Sequence, residues 1–369
     1  MKRFFTIGLV LCLLLLCGCG PKYEVPYAPT QSGGETTAAP TAEPTTEATT
    51  VPTEPPVVYR HPLTGEVLDA PYTGRPVSVV INNLKKCLPQ YGISDADMMY
   101  EVETEGGITR FLAIYSDLND VAKIGPVRSL RTFFTSIAAS YDSPTIHCGG
   151  SVKGLKGMHD FNNKLKNWEH IDQRYNGEFF YRDTERRSQG YALEHTLFTT
   201  GEKLIAAMAD KKYDTISDTE VSYGLQFADE VQLQGEAANT VTVTFTGKKT
   251  STFTLDTATG LYKASQYKKD HIDAGNDNAV LAYRNVLVLT SPQKRSNDGY
   301  YVRSYYTLTG EGEGYFACNG QIVPIKWSRK SVDDPFTYSL TDGTPVTLGV
   351  GKSYVAVIGN KSPAGVSYK

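Results

Sequence analysis

Residues 97–151 read DMMYEVETEGGITRFLAIYSDLNDVAKIGPVRSLRTFFTSIAASYDSPTIHCGGS, and the architecture of the chain turns on how this stretch folds. Met99 to Glu105 and Ile108 to Tyr115 are strand-forming runs on either side of Gly106-Gly107, a pair that tolerates the positive φ of a two-residue hairpin turn. This reading sets Glu105 opposite Ile108, Glu103 opposite Arg110 and Val102 opposite Phe111. Alternation then gathers Glu101, Glu103, Glu105 and Arg110 on one face, with Tyr100, Val102, Phe111, Ala113 and Tyr115 on the other. One face is core, and the other carries chemistry or meets solvent. A cross-strand Glu103–Arg110 pair on the second face contributes about 0.2–1 kcal/mol.

Outward from the hairpin, Gly125-Pro126 suits the cap and first position of a helix running to about Tyr141. Val127, Leu130, Phe134, Ile137 and Tyr141 form its buried stripe. Arg128 and Arg131 fall in its first turns, where cations oppose the helix dipole, so an anion is expected to meet them. Glu101 or Glu105 is the internal candidate, and a ligand phosphate or carboxylate the external one. Pro144 to Cys148 reads as a strand that ends at Gly149-Gly150, with Ser151 as a helix cap. Open α/β sheets bind ligands at the carboxyl ends of their strands. His147 falls there, either as a working imidazole or as one satisfied by a backbone carbonyl, and Asn82 ends the neighbouring strand from Arg75 to Asn83. Cys148 points away from His147, and the Gly149–Lys153 run lacks the last glycine of a nucleophile elbow.

The amino terminus has a different character. Lys2 and Arg3 precede an apolar run from Phe4 to Cys17, too short to span a bilayer and shaped like a secretory signal. It ends in Leu16-Cys17-Gly18-Cys19, which resembles the lipobox of bacterial lipoproteins and makes Cys19 the expected lipidation site. Residues 1–18 are then a signal peptide, and their loss moves the formal charge from −3 to −5. That mild acidity speaks against nucleic-acid binding. Residues 19–56, rich in Pro, Thr, Glu, Ala and Gly, cannot bury a core and read as a disordered tether. Cys87, Cys148 and Cys318 remain; an odd, widely spaced set is no disulfide framework and has no metal-ligand spacing. No cofactor is expected.

Several runs carry a family resemblance. Pro62-Leu63-Thr64-Gly65, Arg75-Pro76 with Asn82-Asn83, Tyr100-Glu101 with Glu105-Gly106-Gly107-Ile108-Thr109-Arg110-Phe111, and Lys123-Ile124-Gly125-Pro126-Val127-Arg128-Ser129 resemble the YerB-like lipoprotein family from about His61 to Val357. The resemblance implies a tethered, two-domain bacterial surface protein with no established activity. Where that family usually has a second histidine this chain has Cys148, which argues against a two-histidine metal site. Leu193-Glu194-His195-Thr196-Leu197-Phe198 is similar to the family's Pro-His-Asn-Leu-Tyr segment. Glu194 and Thr196 depart from it and His195 keeps its place, so His195 joins the candidate pocket with Arg182.

Thr199-Thr200-Gly201-Glu202 is a capping box for a helix through Asp210. Beyond Tyr213 the chain alternates like strands: Val241 to Phe245, Ser251 to Leu255, Val280 to Leu289, Tyr301 to Leu308, Gly314 to Ala317, Ile322 to Trp327, Thr337 to Leu340, Val346 to Leu348 and Tyr354 to Ile358. Asn319-Gly320 and Asp342-Gly343 are hairpin turns. Val350-Gly351-Lys352-Ser353 lacks the first glycine of a phosphate loop and reads as a turn. Tyr301, Tyr305, Tyr306, Trp327 and Tyr338 offer either a glycan platform or core.

The expected architecture is an α/β domain over residues 57–212, a mixed sheet with flanking helices, followed by a β-rich, largely antiparallel domain over 213–369. The expected function is that of a lipoprotein anchored to the cell membrane through Cys19 and facing the extracytoplasmic side. It binds a cell-wall component such as peptidoglycan, or an envelope protein, without catalysis. The binding set is Asn82, Glu101, Glu105, Arg110, Arg128, Arg131, His147, Ser151, Arg182 and His195. The alternative is a cell-wall hydrolase or transferase with a Glu/His pair from Glu101, Glu105 and His147, since glutamates two apart on a strand set their Cα atoms about 6.6 Å apart.

Overall fold

Val77–Asn82 (β1), VSVVIN, is buried at every residue, the pattern of a strand covered on both faces. The structure, a computed structural model, describes residues 57–150, 169–216, 221–297, 302–361 and 363–369. Ser151 and its expected helix, Cys19, the signal segment and the tether lie outside the described residues.

After β1 come Met98–Glu103 (β2), Thr109–Tyr115 (β3), Thr145–His147 (β4) and His170–Asp172 (β5). The second half supplies Glu236–Ala237 (β6), Thr240–Thr246 (β7), Lys249–Asp256 (β8), Leu261–Gln266 (β9), Asn285–Ser291 (β10), Gly310–Cys318 (β11), Gln321–Arg329 (β12), Ser353–Gly359 (β13) and Gly365–Tyr368 (β14). The α-helices are Thr132–Ala139 (α1), Thr184–Ser188 (α2) and Gly201–Lys211 (α3).

The main sheet is mixed, in the order β6-β12-β11-β10-β13-β2-β3-β1-β4-β5, with Thr337–Leu340 alongside β12. Its join is the parallel pairing of β13 with β2, Val355 beside Tyr100 and Val357 beside Val102, which ties residues before and after 212 into one sheet. A second, antiparallel sheet holds β9, β8, β7 and β14 in that order. It covers one face of the main sheet: Val241, Val243 and Phe253 pack with Phe111, Val286, Tyr354 and Ala356. Against the opposite face α1 lays Phe133, Phe134, Ile137 and Ala138 on Tyr100, Val102, Leu112 and Val355. Burying apolar area on both faces, at about 25 cal/mol per Å², drives this layering.

The hairpin departs from its expected register. Gly106 and Gly107 do take positive φ, 66° and 77°. Yet Glu103 faces Thr109, Val102 faces Arg110 and Glu101 faces Phe111, one step from the simple count. The Thr104 N–H donates to the Ile108 carbonyl and the Ile108 N–H to the Glu105 carbonyl, so two residues stand against one, a bulge beside the turn. The slip exchanges partners between faces: Tyr100 and Val102 sit with Leu112 under α1, while Phe111, Ala113 and Tyr115 face the other layer. Both faces are core, and neither β2 nor β3 presents a charged face to water.

The helix also begins later than Gly125-Pro126 suggests. Residues 124–130 run extended across the ends of β1 and β4, because their donors already have partners: Val127 N–H bonds the Leu197 carbonyl, Arg128 N–H that of Val80, and Leu130 N–H that of Gly149. Helix α1 starts at Thr132, with Arg131 as an extended cap residue. Arg128 therefore lies outside any helix dipole. In α3 the cap is Thr200, whose hydroxyl accepts from the Lys203 N–H at 3.1 Å, one residue later than the box beginning at Thr199.

The expected strands of the second half are present, with the run from Val280 to Leu289 divided into shorter pieces. Asn319-Gly320 joins β11 to β12 with φ of 51° and 80°, and Val350 to Lys352 is the connection into β13. Trp327 and Tyr338 are core residues under the sheet, so they make no glycan platform.

Candidate functional site

The nine described residues of the expected cluster fall into separate places. Glu101 points toward the second sheet, where Lys249 of β8 approaches its Oε1 at 3.0 Å with both side chains 1% exposed. Asn83 Nδ2 donates to Oε1 at 2.9 Å, Ser251 Oγ donates to Oε2 at 2.8 Å, and the Thr109 and Tyr354 hydroxyls complete the shell. Burial alone would raise the carboxyl's pKa. Lys249 and these donors outweigh it and hold the group below its ordinary value, so it stays ionised. Every lone pair is taken, and the carboxylate ties the two sheets together.

Glu105 lies on the other side of the main sheet. Arg110 Nη2 reaches its Oε1 at 2.8 Å, and Arg131 donates Nε to Oε2 at 3.0 Å and Nη2 to Oε1. The bulge brings Glu105 to these arginines. Arg110 is fully buried, and burial together with the adjacent Arg131 lowers its pKa. Glu103, expected opposite Arg110, instead accepts from Gln293 at 2.7 Å and Arg295 at 3.2 Å.

His147 is also internal. Its Nδ1 lies 3.0 Å from the Gly149 carbonyl, which can only accept, so Nδ1 carries the proton. Its Nε2 meets His170 Nδ1 at 3.0 Å, the two rings are stacked, and Asp172 Oδ2 is 4.0 Å away. Burial pushes the His147 pKa down to about 4, so the ring is neutral. Asn82 does not reach it. Asn82 Oδ1 accepts from the Leu84 N–H, which turns Nδ2 toward His195 Nδ1 at 3.0 Å.

Arg128, Arg182 and the His195 segment do come together. A surface cavity of about 410 Å³ is lined by Val127, Arg128, Cys148, Arg182, Glu194 and Leu197. The extended 124–130 segment delivers Arg128 to one side, and the residue after β4 brings Cys148. Arg182 is held by the Leu193 carbonyl at 2.7 Å. Arg128 Nη2 pairs with Glu194 at 3.1 Å, with side-chain exposures of 20% and 52%. The Cys148 thiol donates to Gln173 Oε1 at 3.3 Å, and burial raises its pKa, so it is no thiolate. His195 lies behind the wall with Nδ1 accepting from Asn82, which leaves the Nε2 proton facing Glu194 Oε1 at 3.6 Å.

Sequence reasoning missed Lys249, Asp172, His170 and the role of Glu194. Lys249 was legible: in the KTSTFTLD strand it shares parity with Ser251 and Phe253, and a lysine on an inward face needs a buried acid.

Fold and site thus define a strand-rich protein, a mixed sheet backed by an antiparallel one, with a cationic surface pocket. Residues 63–214 match the N-terminal domain, and residues 241–355 the C-terminal domain, of the family described as Protein of unknown function (DUF3048), and the chain belongs to that family. It is similar to the Bacillus subtilis (strain 168) protein named "Putative lipoprotein YerB", 38% identical over 135 residues, a match covering 33% of this chain and 38% of that protein's length. The crystal structure of the YerB protein from Bacillus subtilis superposes with a TM-score of 0.70 at 24% identity, over 84% of this chain and 99% of that one, so the fold is shared.

Proposed function

We propose that the chain is a lipoprotein tethered to the cell membrane through Cys19, facing the extracytoplasmic side, and that it binds an anionic cell-wall component or envelope partner without turning it over. The relative's lipoprotein name and the lipobox-like Leu16–Cys19 run support the anchor. The observation that carries the binding reading is the Arg128–Arg182 cavity. Two guanidiniums at an open pocket, one held by a backbone carbonyl and the other by a half-exposed glutamate, suit a phosphate or carboxylate. An arriving anion displaces Glu194 at small cost, because an exposed ion pair contributes only about 0–1 kcal/mol.

Against a Glu/His reaction stands the placement of its candidates: Glu101 and Glu105 lie on opposite sides of the sheet, each occupied by internal donors, and His147 spends both ring nitrogens on protein partners. The test is co-sedimentation of the full-length chain with purified cell wall. Wild type is expected to pellet with the wall and to be released by salt, and Arg128→Ala to stay in solution. Equal retention of both proteins would sink the reading, and release of muropeptides by wild type would favour the hydrolase.

A further inference from the structure

A second cavity, of about 330 Å³, lies on the other side of Asn82-Asn83, between the Lys85–Cys87 turn and the hairpin that follows β9. Its walls include Leu88, Pro89, Gln90, Gln266, Tyr267 and His271. None of these residues lines the arginine pocket.

The buried hydrogen-bond chain fixes what this wall offers. Lys249 Nζ, a pure donor, bonds Gln266 Oε1 at 2.7 Å, which settles the orientation of that amide. The Gln266 Nε2 is then a buried donor with no partner among the described residues, on a side chain only 4% exposed. Gln90 Nε2 donates to the Asn82 carbonyl at 2.9 Å and to Asn83 Oδ1 at 3.1 Å, so its Oε1 must accept from His271 Nε2 at 3.1 Å. Burial pushes the His271 pKa down to about 3, so the ring is neutral and its remaining nitrogen, Nδ1, is an acceptor. Two lining residues therefore hold, between them, one buried donor without a partner among the described residues and one acceptor, alongside the apolar Leu88 and Pro89.

Backbone strain points to the same place. Tyr267 and Lys268 form a two-residue turn with φ of 52° and 65°, values that glycine or asparagine would normally supply. The strained turn holds the Tyr267 ring at the cavity and its hydroxyl on the Asn83 carbonyl at 2.9 Å.

We propose that this cavity binds the acetamido group of an N-acetylated amino sugar, its carbonyl accepting from Gln266, its N–H donating to His271 and its methyl resting on Leu88 and Pro89. An acetamido group supplies an acceptor, a donor and a small apolar end in one planar unit, the complement of the wall. The Tyr267 ring offers the sugar a flat face. The mouth carries Lys85 and Lys269 together with Asp270, charges of both signs, which suits an uncharged ligand.

The test is a ligand-observed NMR titration of the full-length chain with N-acetylglucosamine, with glucose and glucosamine as controls that lack the acetamido group. N-acetylglucosamine is expected to bind saturably, and each control about tenfold more weakly or worse, since a site built around a hydrogen-bond pair rejects a ligand without it. Gln266→Glu keeps the acceptor that Lys249 needs and removes the free donor, and is expected to lose about tenfold or more in affinity. Should that variant unfold, Leu88→Trp fills the cavity without touching the polar chain and is expected to abolish binding. Equal binding of glucose, no saturation with N-acetylglucosamine, or a Leu88→Trp protein that binds like wild type would each overturn the assignment. Wall retention through Arg128 is read in a separate experiment, so failure of either reading leaves the other standing.

Discussion

Glu101 and Lys249 form a 3.0 Å ion pair in which each side chain is 1% exposed, one from β2 of the main sheet and the other from β8 of the second. Burial lowers the Lys249 pKa and Glu101 raises it, and three further acceptors, the Thr250 carbonyl, Ser251 Oγ and Gln266 Oε1, surround the ammonium. Neither charge survives burial without the other.

Removing one partner should therefore be severe. Lys249→Met leaves Glu101 without its counter-charge in a dry interior and is expected to cost about 3–5 kcal/mol, with Glu101→Gln costing less because the amide keeps some of the hydrogen bonds. The Glu101→Gln/Lys249→Met double variant should be more stable than the sum of the single losses, since it strands no charge. Chemical denaturation measures all three. Additive losses would mean that the two groups do not depend on each other.

The histidines give a pH dependence whose sign follows from their direction of shift. His147 and His271, with pKa values pushed down to about 4 and about 3, are neutral in the folded chain at pH values where an unfolded histidine is charged. The unfolded state then binds more protons, so stability is complete above about pH 6.5 and falls as the pH drops from there toward about 4, by on the order of 3 kcal/mol from His147. Glu101 and Asp172 have lowered pKa values and add their losses only below the ordinary carboxylate range. Thermal unfolding followed from about pH 7 to about pH 5 should show a declining midpoint, and a flat profile would contradict the neutral histidines.

The fold was legible where side-chain parity decides it and obscure where a distant backbone does. β1, β7, β8 and β13 announce themselves by alternating or continuous apolar runs, and Asn319-Gly320 by its turn chemistry. Gly106-Gly107 marked the right turn. What it could not show is the bulge, which is stabilised by Arg110 and Arg131 reaching Glu105 from other elements. Gly125-Pro126 has the local chemistry of a helix start, yet carbonyls of Leu197, Val80 and Gly149 hold the following residues extended, and no local pattern contains them. The same limit applies to the site: charged residues close in sequence were expected to be close in space. Glu101 and Glu105 flank a strand end that carries them to opposite layers, whereas Arg128 meets Arg182 and Glu194 across a long excursion of chain.

The anchor is tested apart from the fold. Cys19→Ala removes the thioether sulfur that would carry lipid, and the variant is expected to leave the membrane fraction for the soluble or secreted one. The Phe4 to Cys17 run is too short to span a bilayer, so the variant isolates the contribution of lipid attachment at Cys19. A Cys19→Ala protein recovered wholly with membranes would rule the lipid anchor out.

Arg128 and Arg131 stand three residues apart and should fail in opposite ways. Arg131, with 8% of its side chain exposed, shares Glu105 with Arg110; Arg128, at 20%, shares the half-exposed Glu194. Arg131→Ala leaves Glu105 with one cation fewer in a largely dry place and is expected to cost about 2–3 kcal/mol, with wall retention lost only as the protein unfolds. Arg128→Ala gives up an exposed pair and is expected to change stability by less than about 1 kcal/mol while removing most wall retention. Glu194→Gln sharpens the comparison: it releases Arg128 from its internal partner, so retention should rise by about threefold to tenfold at low salt and converge on wild type at high salt. Denaturation midpoints and sedimentation with purified wall, measured on the same three proteins, separate the two roles. If Arg128→Ala loses as much stability as Arg131→Ala and Glu194→Gln binds no better than wild type, Arg128 is a structural residue and the pocket has no anion to hold.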